Sequence, residues 1–199
     1  MCSSDLFGAI IRVRGPIVER KALFDIGISG PLAGFAVAVV ALVVGLHWSH
    51  VEMGVSAASP FYVGRSMLID WAISIVLGDL PRGAGVNLHP VAEAAWFGLF
   101  VTCLNLIPIG QLDGGHVAYA LWGRTQRTIA LAVVPLLLFL GYIGWQGWWL
   151  WVLLSGLLGL AHPPIPDPDS ELGRTRTWLG WATVVLFAVI FTPFPIVTR

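Results

Sequence analysis

Long apolar stretches dominate this sequence and restrict the folds that are available to it. Hydrophobic residues make up 57% of its 199 residues and charged residues only 11%, whereas a soluble domain carries roughly 25% charged residues. Such a chain cannot cover its surface with polar groups, so we expect membrane lipid as its surroundings. The ten tryptophans fit this expectation, because tryptophan favours membrane interfaces. The formal net charge is zero, and we expect no nucleic-acid partner.

Five apolar stretches approach the length of roughly 17 residues that a membrane crossing needs. They predict an all-α membrane protein, a polytopic bundle of about five transmembrane helices. The stretch 66–77 is too short to cross and carries Asp70, so we interpret it as an interfacial or re-entrant piece. The predicted spans are 31–48, 91–108, 128–142, 145–160 and 178–191.

The N-terminal region has a different pattern. Apolar residues and arginines alternate up to Arg14, which favours a short β-strand or hairpin over 7–14. We therefore interpret 1–199 as a single membrane domain with an atypical leader (1–6), a strand and interfacial segment (7–30) and a transmembrane core (31–193).

Basic residues segregate to one face of the predicted topology. The N-terminal segment and the loops 109–127 and 162–177 hold eight Lys and Arg residues, and the opposite face holds three. The positive-inside rule places the first face in the cytoplasm.

A broken helix that carries a carboxylate is the feature most suggestive of chemistry. Pro108 cannot continue a helical hydrogen-bond ladder, and Asp113 follows five residues later. A carboxylate at this depth is tolerated only when it is buried in protein or lines a wet cavity, and zinc accepts such an oxygen ligand. The alternative is a plain structural turn, because Asp-Gly-Gly is a common turn sequence.

The spacing Asn105-x-x-Pro108-x-x-x-Leu112-Asp113-Gly114 resembles the motif of site-2 proteases, the intramembrane zinc metalloproteases of peptidase family M50. The resemblance implies Asp113 as the third zinc ligand, with the other residues of the motif shaping the substrate approach. It also implies Zn²⁺ in the complete protein, a transmembrane protein as substrate and, through the bacterial branch, the bacterial inner membrane with the Asp113 side facing the cytoplasm.

A second motif, Gly27-x-x-Gly30-Pro31-x-x-Gly34, resembles the family's Gly-Pro motif at the start of the preceding core helix. In the same family a strand beside the active site pairs with unwound substrate, and the segment 7–14 stands where such a strand would be. The alternative, which the sequence favours equally, is that 7–14 is only a solvated hairpin strand that pairs with no substrate. An exposed edge can bind a peptide through backbone hydrogen bonds.

The family's other two zinc ligands come from His-Glu-x-x-His, with its Glu as general base, and this motif is absent from the sequence. No catalytic residue is therefore identifiable, and we expect no peptide hydrolysis by the chain alone. A truncated reading frame explains this most simply.

The five histidines do not replace the absent motif. His47 and His50 have the wrong spacing and lie at the far end of the first span, ~27 Å from the cytoplasmic face. His116, three residues after Asp113, is a candidate for orienting the metal site through a hydrogen bond, without binding the metal itself. His89 precedes a proline at a helix start, and His162 is interpreted as part of a helix stop.

Three functions remain open. The first is the metalloprotease, represented by its C-terminal portion. The second is a non-catalytic pseudoprotease that binds a membrane partner. The third is a small transporter with a site at the broken helix, which the absence of a visible inverted repeat disfavours.

Overall fold

A computed structural model describes residues 19–53, 61–81, 83–168 and 170–198. The predicted leader and the predicted strand at 7–14 lie outside these ranges. The described parts contain seven helices, α1 (Arg20–His47), α2 (Met67–Leu77), α3 (Pro90–Asn105), α4 (Asp113–Trp122), α5 (Thr125–Ile143), α6 (Gly147–Leu158) and α7 (Arg174–Ile190).

Four short strands form two antiparallel ribbons. Strand β1 (His50–Met53) pairs with β3 (Ala84–Asn87), so that Val51 lies opposite Val86. Strand β2 (Phe61–Val63) pairs with β4 (Ile196–Thr198). Since β1 follows the C-terminus of α1, the first ribbon lies at the opposite end of this helix from Arg20.

Helix α1 is longer than the sequence predicts. We expected a strand and interfacial segment up to residue 30 and a span from residue 31, but the helix begins at Arg20 and Pro31 lies inside it. At 28 residues the helix is ~42 Å long. Proline costs one backbone hydrogen bond; Phe24 and Ile28, buried against α4 side chains, offset this cost.

Helices α3 and α4 lie end to end along α1, both antiparallel to it. The far end of α1 meets the start of α3, where a Cβ atom on Gly45 would lie 2.3 Å from the backbone nitrogen of Ala92. The near end meets α4, because the side chain of Arg20 donates to the backbone carbonyls of Ala120 and Leu121 at the C-terminus of α4. The break between α3 and α4 therefore lies against the middle of α1.

The prediction for α3 is confirmed at its start and nearly so at its end. Pro90 is the first residue of the helix, and the ring of His89 caps it by accepting a hydrogen bond from the backbone N–H of Val91 at 3.2 Å. The helix ends at Asn105, three residues before Pro108. Helix α4, which follows the break, was not predicted.

Two helices, α1 and α5, are long and apolar enough to cross a membrane. Helices α3, α6 and α7 have 16, 12 and 17 residues, so the prediction of five spans is not confirmed by helix length. A mostly helical membrane protein is nevertheless consistent with the surface, because many large apolar side chains point outward. Among them are Val37, Ile75, Tyr142, Leu157 and Trp178, each at least 71% exposed.

Candidate metal centre

The turn between α3 and α4 places Asp113 at a helix N-terminus. Ile107 and Ile109 are each 1% exposed and anchor this turn in the core. Leu112 is extended and Asp113 is the first residue of α4. The unpaired N–H groups and the dipole at a helix N-terminus favour a carboxylate there, so the predicted candidate ligand has a defined place.

Close backbone packing fixes this turn. A Cβ atom on Gly114 would lie 2.0 Å from the carbonyl oxygen of Leu106, and one on Gly115 would lie 2.3 Å from that of Gly110. Gly110 has φ of +54°, a conformation that residues with a side chain rarely adopt. Glycine is therefore required where the start of α4 packs against the backbone that follows α3.

The two sequence motifs meet in space. A Cβ atom on Gly30 would lie 3.4 Å from Oδ2 of Asp113, and one on Gly27 would lie 2.7 Å from Cβ of His116. Gly34, one turn further along α1, faces Oγ1 of Thr102 on α3 at 3.2 Å by the same measure. The glycines of the second motif thus let α1 approach the break at which Asp113 lies.

A buried amide holds the turn from the other side. Gln126, at the start of α5 and 1% exposed, donates to the backbone carbonyls of Pro108 and Leu160, both at 3.2 Å. Its Oε1 accepts a hydrogen bond from the backbone N–H of His162 at 3.0 Å. The backbone N–H of Gly110 also donates to Leu160 at 3.0 Å. Gln126 was not predicted from the sequence, since one glutamine in a basic loop has no distinguishing pattern.

His162 lies beside the site rather than serving only as a helix stop. Nε2 of His162 is 2.8 Å from Nδ1 of His116, and Nδ1 of His162 is 2.6 Å from the carbonyl oxygen of Pro163. The ring centroids of His162 and Tyr119 are 4.6 Å apart. The histidine was visible in the sequence, but its partner lies 46 residues away.

Burial governs the protonation of these side chains. It raises the pKa of Asp113 to about 6, because desolvation disfavours a charged carboxylate. Burial, and to a lesser extent the neighbouring His162, lowers the pKa of His116 to about 4. Burial also lowers the pKa of His162, against the opposing effect of its hydrogen bond to Pro163. Both imidazoles are therefore neutral at pH 7.

The remaining histidines do not join this site. His47 ends α1 and His50 begins β1, 17 and 20 residues beyond Gly30 along the chain, so His47 lies ~25 Å away along the helix axis. His89 caps the far end of α3. The structure thus places these three histidines away from Asp113.

The described residues do not by themselves form a zinc site. Asp113 offers a hard oxygen donor, but among 19–53, 61–81, 83–168 and 170–198 no group of three His, Cys, Asp or Glu side chains is close enough to hold a metal ion. A catalytic zinc needs about three protein ligands. These residues fit one ligand of such a site and not the whole of it.

Comparisons with known proteins find similar sequences among named zinc metalloproteases. A protein of Oryza sativa subsp. indica named "Probable zinc metalloprotease EGY2, chloroplastic" is 29% identical over 192 residues, which are 95% of this chain and 35% of that protein. The Arabidopsis thaliana protein of the same name is 37% identical over 125 residues, 61% of this chain and 22% of that protein. No solved structure matches.

The chain spans about a third or less of the length of these relatives. Their names support Zn²⁺ as the cofactor of the complete protein. They also name chloroplast proteins, so the expected bacterial inner membrane has no support from them. The model of Peptidase family M50 matches residues 4–143. With more than half of its residues matched and both motifs meeting at Asp113, the chain belongs to peptidase family M50.

Proposed function

We propose that the complete protein is a site-2-type intramembrane zinc metalloprotease in which Asp113 supplies one zinc ligand. The observation that carries this proposal is the position of the Asp113 carboxylate. It lies half-buried at the break between α3 and α4, 3.4 Å from where a Cβ atom of Gly30 would stand. Gly30 itself is exposed, so the α1 side of the site is open to further donors.

The other ligands come, in this proposal, from residues outside the described ranges. A zinc ion held there would activate water for attack on a peptide bond. Asn105 and Pro108 shape the substrate approach, because they end α3 and open the turn that precedes Asp113. The substrate class is a membrane-embedded protein, and the site lies on the basic face of the bilayer.

The test is the zinc content of the purified complete protein, measured for the wild type and for Asp113→Asn. We expect close to one zinc per chain in the wild type and its loss in the variant. Asp70→Asn is the matched control, since it also removes one carboxylate from the first turn of a short apolar helix. Equal zinc in wild type and Asp113→Asn would overturn the assignment of Asp113.

A non-catalytic pseudoprotease is the second candidate, favoured by the finding that the described residues contain no three-ligand group. It predicts a complete protein without zinc and a membrane partner whose binding is unaffected by Asp113→Asn. Stoichiometric zinc in the wild type would eliminate it.

A further inference from the structure

The hydrogen-bond chain from Pro163 through His162 to His116 determines which ring nitrogens carry protons. A backbone carbonyl can only accept a hydrogen bond. Nδ1 of His162 lies 2.6 Å from the carbonyl oxygen of Pro163, so this nitrogen carries a proton. In the neutral ring Nε2 of His162 is then an acceptor.

The position of the proton on the His116 ring follows from its contact with His162. Nδ1 of His116 lies 2.8 Å from Nε2 of His162. Because this Nε2 accepts, Nδ1 of His116 must be the donor. The neutral His116 ring therefore has no proton on Nε2, the opposite of the form that free histidine favours.

His162 is held firmly enough to impose this arrangement. Its backbone N–H donates to the buried Gln126 at 3.0 Å, and its ring lies 4.6 Å from that of Tyr119, which is 5% exposed. His162 itself lies beyond residue 143, where the match to the family model ends.

His116 is close to the candidate ligand. It is three residues after Asp113, so the two side chains are neighbours on one face of α4. Both residues also approach Gly27, because a Cβ atom there would lie 2.7 Å from Cβ of His116 and 3.0 Å from the carbonyl oxygen of Asp113.

We propose that His162 is a positioning residue that holds His116 as the Nδ1–H tautomer. His116 thereby offers an unprotonated Nε2 as a hydrogen-bond acceptor for a water molecule bound at the Asp113 site. The tautomer follows from the contacts that two neutral rings make. The role of the bound water rests on the proposed function.

The first test is the nitrogen-15 spectrum of the histidine rings in the 199-residue chain, purified in detergent and labelled at histidine. His116→Gln identifies the His116 signals by their loss. We expect a protonated Nδ1 and an unprotonated Nε2 at His116. A proton on Nε2 of His116 overturns the proposal, and this measurement on the wild type needs no variant at position 162 to fold.

The second test compares His162→Leu with His162→Gln. The Gln side chain keeps an acceptor for Nδ1–H of His116 and should retain the tautomer, whereas Leu removes the acceptor and should release it. In the complete protein we expect the zinc affinity of His162→Leu to be about 10- to 100-fold lower than that of the wild type. Losses of this size are typical when a group that orients a metal site through hydrogen bonds is removed. His162→Gln should recover most of it.

His50→Leu, on the distant strand β1, is the control and should leave the zinc affinity unchanged. An unchanged affinity in His162→Leu overturns the positioning role even if zinc is bound. A complete protein without zinc overturns the proposed function instead, and the ring spectrum still decides the tautomer.

Discussion

Two short helices of this molecule, α2 and α4, each carry an aspartate in the first turn, and the two aspartates lie in opposite surroundings. Asp70 of α2 forms an ion pair with Arg65, five residues earlier, with side chains that are 47% and 61% exposed. Oγ of Ser66 caps the same helix by accepting from the backbone N–H of Ile69. This turn is completed by its own neighbours in sequence.

Asp113 of α4 is held by distant parts of the chain. Its N-cap residue, Leu112, makes no side-chain cap, and among the described residues no ion pair involves Asp113. The turn before it is held by Gln126 and by Leu160. Asp70 is thus paired within its own turn, whereas Asp113 is placed by tertiary packing and keeps its carboxylate available to a ligand.

Packing at the Asp113 turn gives the largest expected effect. Gly114→Ala places a methyl group 2.0 Å from the carbonyl oxygen of Leu106, and backbone atoms cannot move aside as a flexible side chain can. We expect a loss of about 3 kcal/mol in the free energy of unfolding, measured in detergent by tryptophan fluorescence.

Gly156→Ala in α6 is the matched control for this variant. No atom lies within 4 Å of the added methyl group, and alanine in a helix interior is favoured over glycine by about 0.5–1 kcal/mol. Equal unfolding free energies for the two variants would contradict the tight packing of the Asp113 turn.

The burial of the Asp113 carboxylate should have an intermediate effect on the free energy of unfolding of the chain after treatment with a chelator. Its pKa is raised from 3.8 to about 6, so the folded chain is harder to ionise at this position than the unfolded chain. The contribution of Asp113 to stability is therefore complete below pH ~4, falls as the pH rises to about 6 and stays low above that.

Asp113→Asn should therefore be more stable than the wild type at pH 8, by about 1 kcal/mol once partial exposure is allowed for. The advantage should disappear at pH 4. Because His116 and His162 titrate in both proteins, the difference between the two proteins isolates Asp113. A wild type that remains the more stable protein at pH 8 without metal would be inconsistent with this environment.

The ion pair between Arg65 and Asp70 at the start of α2 should have the smallest effect on the free energy of unfolding. Asp70→Asn removes an exposed pair, which is worth roughly 0.2–1 kcal/mol, and high salt should reduce the difference further. Unfolding in low and high salt measures it. A loss above ~2 kcal/mol, or one insensitive to salt, would show that the two turns are more alike than the structure indicates.

Local sequence predicted a helix boundary correctly where the residues that set the boundary are close together in the chain. Pro90 marks the start of α3, and Pro108 correctly placed a break after that helix. The apolar stretches gave most helices within a few residues. The predicted start of α1 was wrong by eleven residues, which is about three helical turns. Buried contacts of Phe24 and Ile28 with distant residues stabilise these turns, which the local pattern does not favour.

Composition and short spacing were enough to predict the apolar character of the chain, the order of its two motifs and Asp113 as the candidate ligand. The packed helices were needed to see that Gly30 faces Asp113, that Gln126 holds the turn and that His162 reaches His116. The hydrogen bonds from Gln126 to Pro108, Leu160 and His162, and the one between His162 and His116, join residues that are 18 to 46 positions apart in sequence. Side chains so far apart meet only after the helices between them have packed, and no local pattern encodes such a meeting.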